Sequence, residues 1–77
     1  MNLLDAAIGV RVVIDRVPDS DLDRLAAHGL CVGHVVEVDQ DAPFGGPRLV
    51  RVGARRVAVP RRIAASVSVH AAGGGQV

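Results

Sequence analysis

Apolar and polar residues alternate along GVRVVIDRV (9–17), with Val10, Val12 and Ile14 on one side and Arg11, Val13 and Asp15 on the other. That period of two predicts a half-buried strand. PDSD (18–21) breaks it, and Asp19 or Ser20 offers the short side-chain oxygen that caps a helix. Asp21 and Asp23 suit the positive end of the helix dipole. Leu22, Leu25 and Ala26 then recur at helical spacing, and Gly29 stands where a left-handed residue closes a helix. One main helix is therefore predicted within residues 19–29. HVVEVDQ (34–40) alternates again, Val36 and Val38 inward, Glu37 and Asp39 outward. The loop DAPFGGP (41–47) follows, with two prolines and two glycines as breakers. RLVRV (48–52), a Gly53-Ala54 turn and RRVAV (55–59) make two more strands. Pro60 ends the fourth, RRIAA forms a short helical turn, and SVSV (66–69) is the last strand. AAGGGQV (71–77) is predicted to be a flexible tail.

Five short strands with one helix after the first predict a mainly β fold, a five-stranded SH3-like β-barrel forming a single domain over residues 1–70. Val10, Val12, Ile14, Leu25, Val36, Val38, Val50, Val52, Val57 and Val59 are the expected core. Alternation also predicts a register: Val38 facing Val50, Val36 facing Val52 and Glu37 facing Arg51, so that paired residue numbers sum to 88. Arg51 and Arg56 fall on neighbouring outer positions and repel unless an acid intervenes. The edge strands of an incompletely closed barrel give a route to weak homo-oligomers.

Composition adds limits. Forty-nine per cent of the 77 residues are apolar, which argues for a packed domain rather than a disordered one. One cysteine allows no internal disulfide and nothing requires an oxidising compartment. The N-terminal stretch does not read as a signal peptide, and the apolar runs are too short to span a bilayer, so a cytoplasmic location is expected. Net charge is only +1, yet residues 1–41 carry all eight acids beside three arginines, and residues 42–77 carry six arginines and no acid. Such asymmetry is one mark of a nucleic-acid surface.

The chain offers little chemistry. His28, Cys31 and His34 sit at steps of three, the only candidate metal ligands, but they fall on a helix end, a connector and a strand start, so their spacing builds no convergent set. No metal and no cofactor are expected. Nucleic-acid binding by a small barrel combines a basic groove with aromatic platforms. Arg48, Arg51, Arg56, Arg61 and Arg62 could contact a phosphate backbone, but Phe44 is the sole aromatic residue. GGGQ lacks the residues of a phosphate loop, and no catalytic grouping of Ser, His and carboxylate is apparent; an enzyme is not expected. Phe44, at the tip of the loop, either folds back to cap the barrel end or anchors a partner. In the second case Phe44, and Leu30 and Val32 between two glycines, are the expected partner-binding residues, on the premise that they form one exposed apolar patch.

The order of these elements resembles the FeoA family. Gly9 leads the first strand, Leu25, Gly29 and Leu30 form an LxxxGL helix end, and Gly33 opens the second strand. Ala42, Pro43, Gly45 and Pro47 make an AP-x-G-x-P loop, followed by Val57, Val59, Ala65 and Val69. The match spans residues 3–69. Val32 and Pro60 depart from it, at places where the family often has proline and arginine. The resemblance implies a small cytosolic accessory protein of ferrous iron uptake with an SH3-like barrel, whose partner is the cytosolic part of a FeoB-type membrane GTPase transporter. Transition metal ion binding is attached to the family as a whole. The alternatives are a nucleic-acid-binding small barrel and an iron-regulator-type SH3 interaction module.

Overall fold

The computed structural model describes residues 1–72. Its elements are β1 (Arg11–Arg16), a 3-10 turn (Asp19–Asp21), α1 (Leu22–Ala27), β2 (Val35–Asp41), β3 (Arg48–Val52), β4 (Arg55–Val59), α2 (Arg61–Ala64) and β5 (Ser68–Ala71). All five strands join one antiparallel sheet in the order β4-β3-β2-β1-β5, and α2 carries the chain from one edge to the other. β5 runs through Ala71, one residue into the stretch expected to be tail, and residues 73–77 lie outside those described.

The inner face is the alternating set. Val12, Ile14, Val36, Val38, Val50, Val57, Val59 and Val69 are buried, together with Leu25, Leu30, Ile63 and Val67. Two expected core residues differ. Val10 is exposed, because β1 begins only at Arg11; the chain turns at Gly9, whose N–H reaches the Val38 carbonyl at 2.8 Å. The N-terminal turn supplies Leu3 and Ala6 to the core instead. Val52, near the end of the β2–β3 ladder, is half-buried.

α1 also departs from expectation. It is entered through the 3-10 turn, whose N-cap is Pro18, and neither Asp19 nor Ser20 caps it. The chain is already coiled at those positions, so neither residue is extended in the way a capping side chain requires. Being only six residues long, α1 rests on the core through Leu25 alone, with Leu22 and Ala26 exposed. Its end is as predicted. Gly29 adopts φ +87°, its N–H bonds the Ala26 carbonyl at 2.9 Å, and the Leu30 N–H bonds that of Leu25 at 2.9 Å. This pair of bonds is a Schellman motif, which brings the residue after the glycine back onto the helix. Leu30 is accordingly core, 2% exposed.

The predicted register holds at Glu37↔Arg51 and Val38↔Val50, the first two pairs of the ladder; the expected Val36↔Val52 pair lies beyond its start and is not formed. The register then slips by one, to Gln40↔Leu49 and Asp41↔Arg48. Asp39 is the extra residue of this bulge. Such an insertion re-aims the side chains beyond it, and here it exchanges Gln40 for Asp41 as the residue opposite Arg48.

Candidate functional site

Arg48 shares the inner face of β3 with Val50, two residues away, and is buried at 5% exposure. A guanidinium there needs partners for its donors. Its Nε donates to Asp41 Oδ1 at 2.6 Å and one terminal nitrogen to Asp41 Oδ2 at 3.4 Å. The other terminal nitrogen donates to the carbonyls of Leu3, Leu4 and Ala6 at 3.0, 2.6 and 2.8 Å. Three acceptors for two hydrogens mean that one bond is shared. The N-terminal turn receiving them is held by the Leu3 N–H on the Val67 carbonyl (2.8 Å) and by the Asp5 N–H on Asn2 Oδ1 (2.9 Å). No side-chain polar atom is left buried without a partner among the described residues.

Asp41 and Arg48 are the last ladder pair before the loop, so their ion pair closes its base. Arg61 lies 3.7 Å from the same carboxylate. The hydrogen bond from Arg48 holds the Asp41 carboxyl below its ordinary value of 3.8; partial desolvation opposes this, and the charges of Arg48 and Arg61 reinforce it. Within the loop the Ala42 N–H bonds the Pro47 carbonyl at 2.9 Å and the Gly46 N–H bonds that of Pro43 at 3.1 Å. A Cβ on Gly46 would lie 2.9 Å from that of Ala42, so the turn closes only around glycine. At the tip, Phe44 has φ +60° and its side chain is fully exposed, at 104% of the reference area. A bulky residue in the left-handed region carries backbone strain. The loop therefore holds an aromatic ring out of the core at some conformational cost.

The other expected partner residues do not join it. Leu30 is buried by the Schellman motif and leaves the surface set. Val32 is 56% exposed, but it precedes β2, whereas Phe44 follows it. A seven-residue strand extends roughly 20 Å, so the two occupy opposite ends of β2 and the expected single patch does not form.

His28 is exposed at the end of α1, Cys31 is half-buried, and His34 donates from Nδ1 to the Gly29 carbonyl at 2.8 Å, leaving only Nε2 for any ligand. No group of three His, Cys, Asp or Glu side chains suited to a metal ion occurs among the described residues.

Of the five arginines expected to contact a phosphate backbone, four are engaged. Arg48 is inside, which removes it from the basic surface expected of it. Arg51 and Arg56 face each other across β3 and β4, and Asp39 takes both, at 3.4 and 3.0 Å. The bulge residue is thus the intervening acid. Arg62 keeps no carboxylate partner among the described residues and lines, with Arg24, Ser20, Asp21, Ile63 and Ser66, an open polar cleft of about 500 Å³ between α1 and α2. No described helix is long and apolar enough to cross a membrane.

A family model described as the FeoA domain matches residues 1–71. The chain belongs to the FeoA family. No curated protein matches it, but solved FeoA structures do. FeoA from Chlorobium tepidum superposes with a TM-score of 0.86 at 27% identity, covering 99% of this chain and 74% of that one. Iron(II) transport protein A from Clostridium thermocellum gives 0.84 at 28% identity, over 96% of this chain and 47% of that one, so this FeoA chain spans about half the length of that protein. The zinc complex of Stenotrophomonas maltophilia FeoA gives 0.73 at 29% identity, over 90% and 88%. That protein is described as an SH3-domain protein and a candidate ferrous iron transport activating factor. The five-stranded sheet of this FeoA chain is thus the SH3-like fold expected from its alternation.

Proposed function

We propose that the protein is a non-enzymatic, cytosolic accessory of ferrous iron uptake that binds the cytosolic part of a FeoB-type transporter through the loop carrying Phe44. Family membership and the description of the Stenotrophomonas protein support the transport role. The observation that carries the docking site is Phe44 itself, a lone aromatic ring, fully exposed on a strained backbone and a closed loop base. Aromatic residues, phenylalanine included, are enriched at the cores of protein interfaces relative to the rest of the surface. Val32, at the far end of β2, is a secondary contact at most and requires a partner that spans the sheet.

Titration of the chain against the cognate transporter's cytosolic domain tests this reading. Binding that is lost on Phe44→Ala supports it; binding unaffected by Phe44→Ala, or no binding by the unaltered chain, overturns it. The nucleic-acid alternative is disfavoured by the engagement of Arg48, Arg51, Arg56 and Arg61 with acids or backbone carbonyls.

A further inference from the structure

Two parts of the chain meet at one side chain. Arg48 closes the base of the Phe44 loop with one edge of its guanidinium and holds three carbonyls of the N-terminal turn with the other. The guanidinium is planar and rigid, so the two sets of bonds fix each other's direction. If the carbonyls of Leu3, Leu4 and Ala6 move, the Arg48 plane is no longer held, and the fork on Asp41 loses its alignment. The loop has only two internal backbone hydrogen bonds, Ala42 to Pro47 and Gly46 to Pro43, and its tip carries a left-handed Phe44. It therefore depends on its base for a single posture. The N-terminal turn also has its own exposed apolar neighbours, Met1 and Ile8, at 62% and 53% exposure.

We propose that Arg48 is a positioning residue that couples the N-terminal turn (residues 2–6) to the posture of the Phe44 loop, so that a contact displacing the turn changes how Phe44 is presented. The coupling is reciprocal: a partner that fixes the loop also tightens the turn. It rests on the docking reading only for its consequence at a partner, and not for its existence within the chain.

Amide hydrogen exchange on the full chain separates the two. Asn2→Ala removes one of the two acceptors of the Asp5 N–H, Asn2 Oδ1 at 2.9 Å, leaves the Asn2 carbonyl at 3.1 Å as the other, and touches no residue of the loop. The expected result is exchange at Ala42 and Gly46 faster by roughly tenfold, with the core amides of Val36 and Val57 unchanged, since a local opening moves its own cooperative unit only. Arg48→Met should produce the same loop change. Arg48→Lys, which keeps the charge but loses the fork, should restore little of it. Asn2→Ala exchange confined to residues 2–6, with Ala42 and Gly46 as in the unaltered chain, overturns the coupling. Equal acceleration at loop and core amides overturns it also, because the effect is then global loss of stability. Faster loop exchange in the absence of any transporter binding leaves the coupling standing and removes the docking reading.

Discussion

Asp41 and Arg48 face each other across the last rung of the β2–β3 ladder, and they do so because one extra residue, Asp39, is inserted just before. The pair makes the loop base sensitive to acid. The Asp41 carboxyl is held below its ordinary value, so it contributes stability that is complete above about pH 4, the unfolded value for such a group. That contribution is lost progressively as pH falls through the depressed folded value. In acid titrations followed by circular dichroism, Asp41→Asn should be less stable than the unaltered chain at neutral pH. The difference between the two should shrink below about pH 4.

Replacement of Phe44 should separate stability from binding. Phe44→Gly removes a ring that touches no core and suits the left-handed backbone better, so thermal stability should stay level or rise by about 0.5–1 kcal/mol. Affinity for the transporter's cytosolic domain should fall by about 1–3 kcal/mol in the same protein, as for an interface anchor. Loss of folding in this variant would place the ring in the core.

Asp39 neutralises two arginines that oppose one another across β3 and β4. Asp39→Asn should destabilise the sheet by about 0.5–1 kcal/mol through the like-charge pair left behind. Because the three side chains are partly exposed, added salt should narrow the gap between variant and parent, which chemical denaturation at low and high ionic strength will show.

Gly29 is constrained twice, by φ +87° and by a Cβ position 3.1 Å from Val52 Cγ1. Gly29→Ala should cost about 1–2 kcal/mol. It should lower Tm and raise exchange at the Leu30 amide, whose bond to Leu25 the glycine makes possible.

Cys31→Ser and His34→Ala should leave any retention of iron or zinc unchanged, because His34 spends one ring nitrogen on the Gly29 carbonyl and no three ligands gather among the described residues. Elemental analysis of the purified variants checks this. Stoichiometric metal lost in either one would identify a ligand set formed another way.

Alternation along the strands made most of the fold legible, since Val36, Val38, Val50, Val57 and Val59 are buried simply by parity. Parity also placed Arg48 on the inner face with Val50, a signal present in RLVRV but masked by the charge of the residue. The bulge was not legible, because an inserted residue leaves no mark in a polar stretch such as EVDQD. Nor was the N-terminal turn, whose Leu3 and Ala6 find their places only through contacts with residues far along the chain. Leu30 was misplaced for a related reason: the Schellman bond, not the local pattern, decides which way it points. The exposure of Phe44 was a choice between capping the barrel and projecting from it, and loop composition alone does not decide that.

Leu3 bonds Val67, and Asn2 bridges Ser68, which has a bearing on how the protein is made. Residues 2–6 are made before β5 and are among the last of the described residues to acquire their neighbours. The hairpin of β2 and β3 can close once Val52 has been added, but the Leu3 N–H lacks its acceptor until Val67 follows. Slow or interrupted translation therefore prolongs a form with its first turn unseated, and that form is the one open to capture by chaperones or by neighbouring chains.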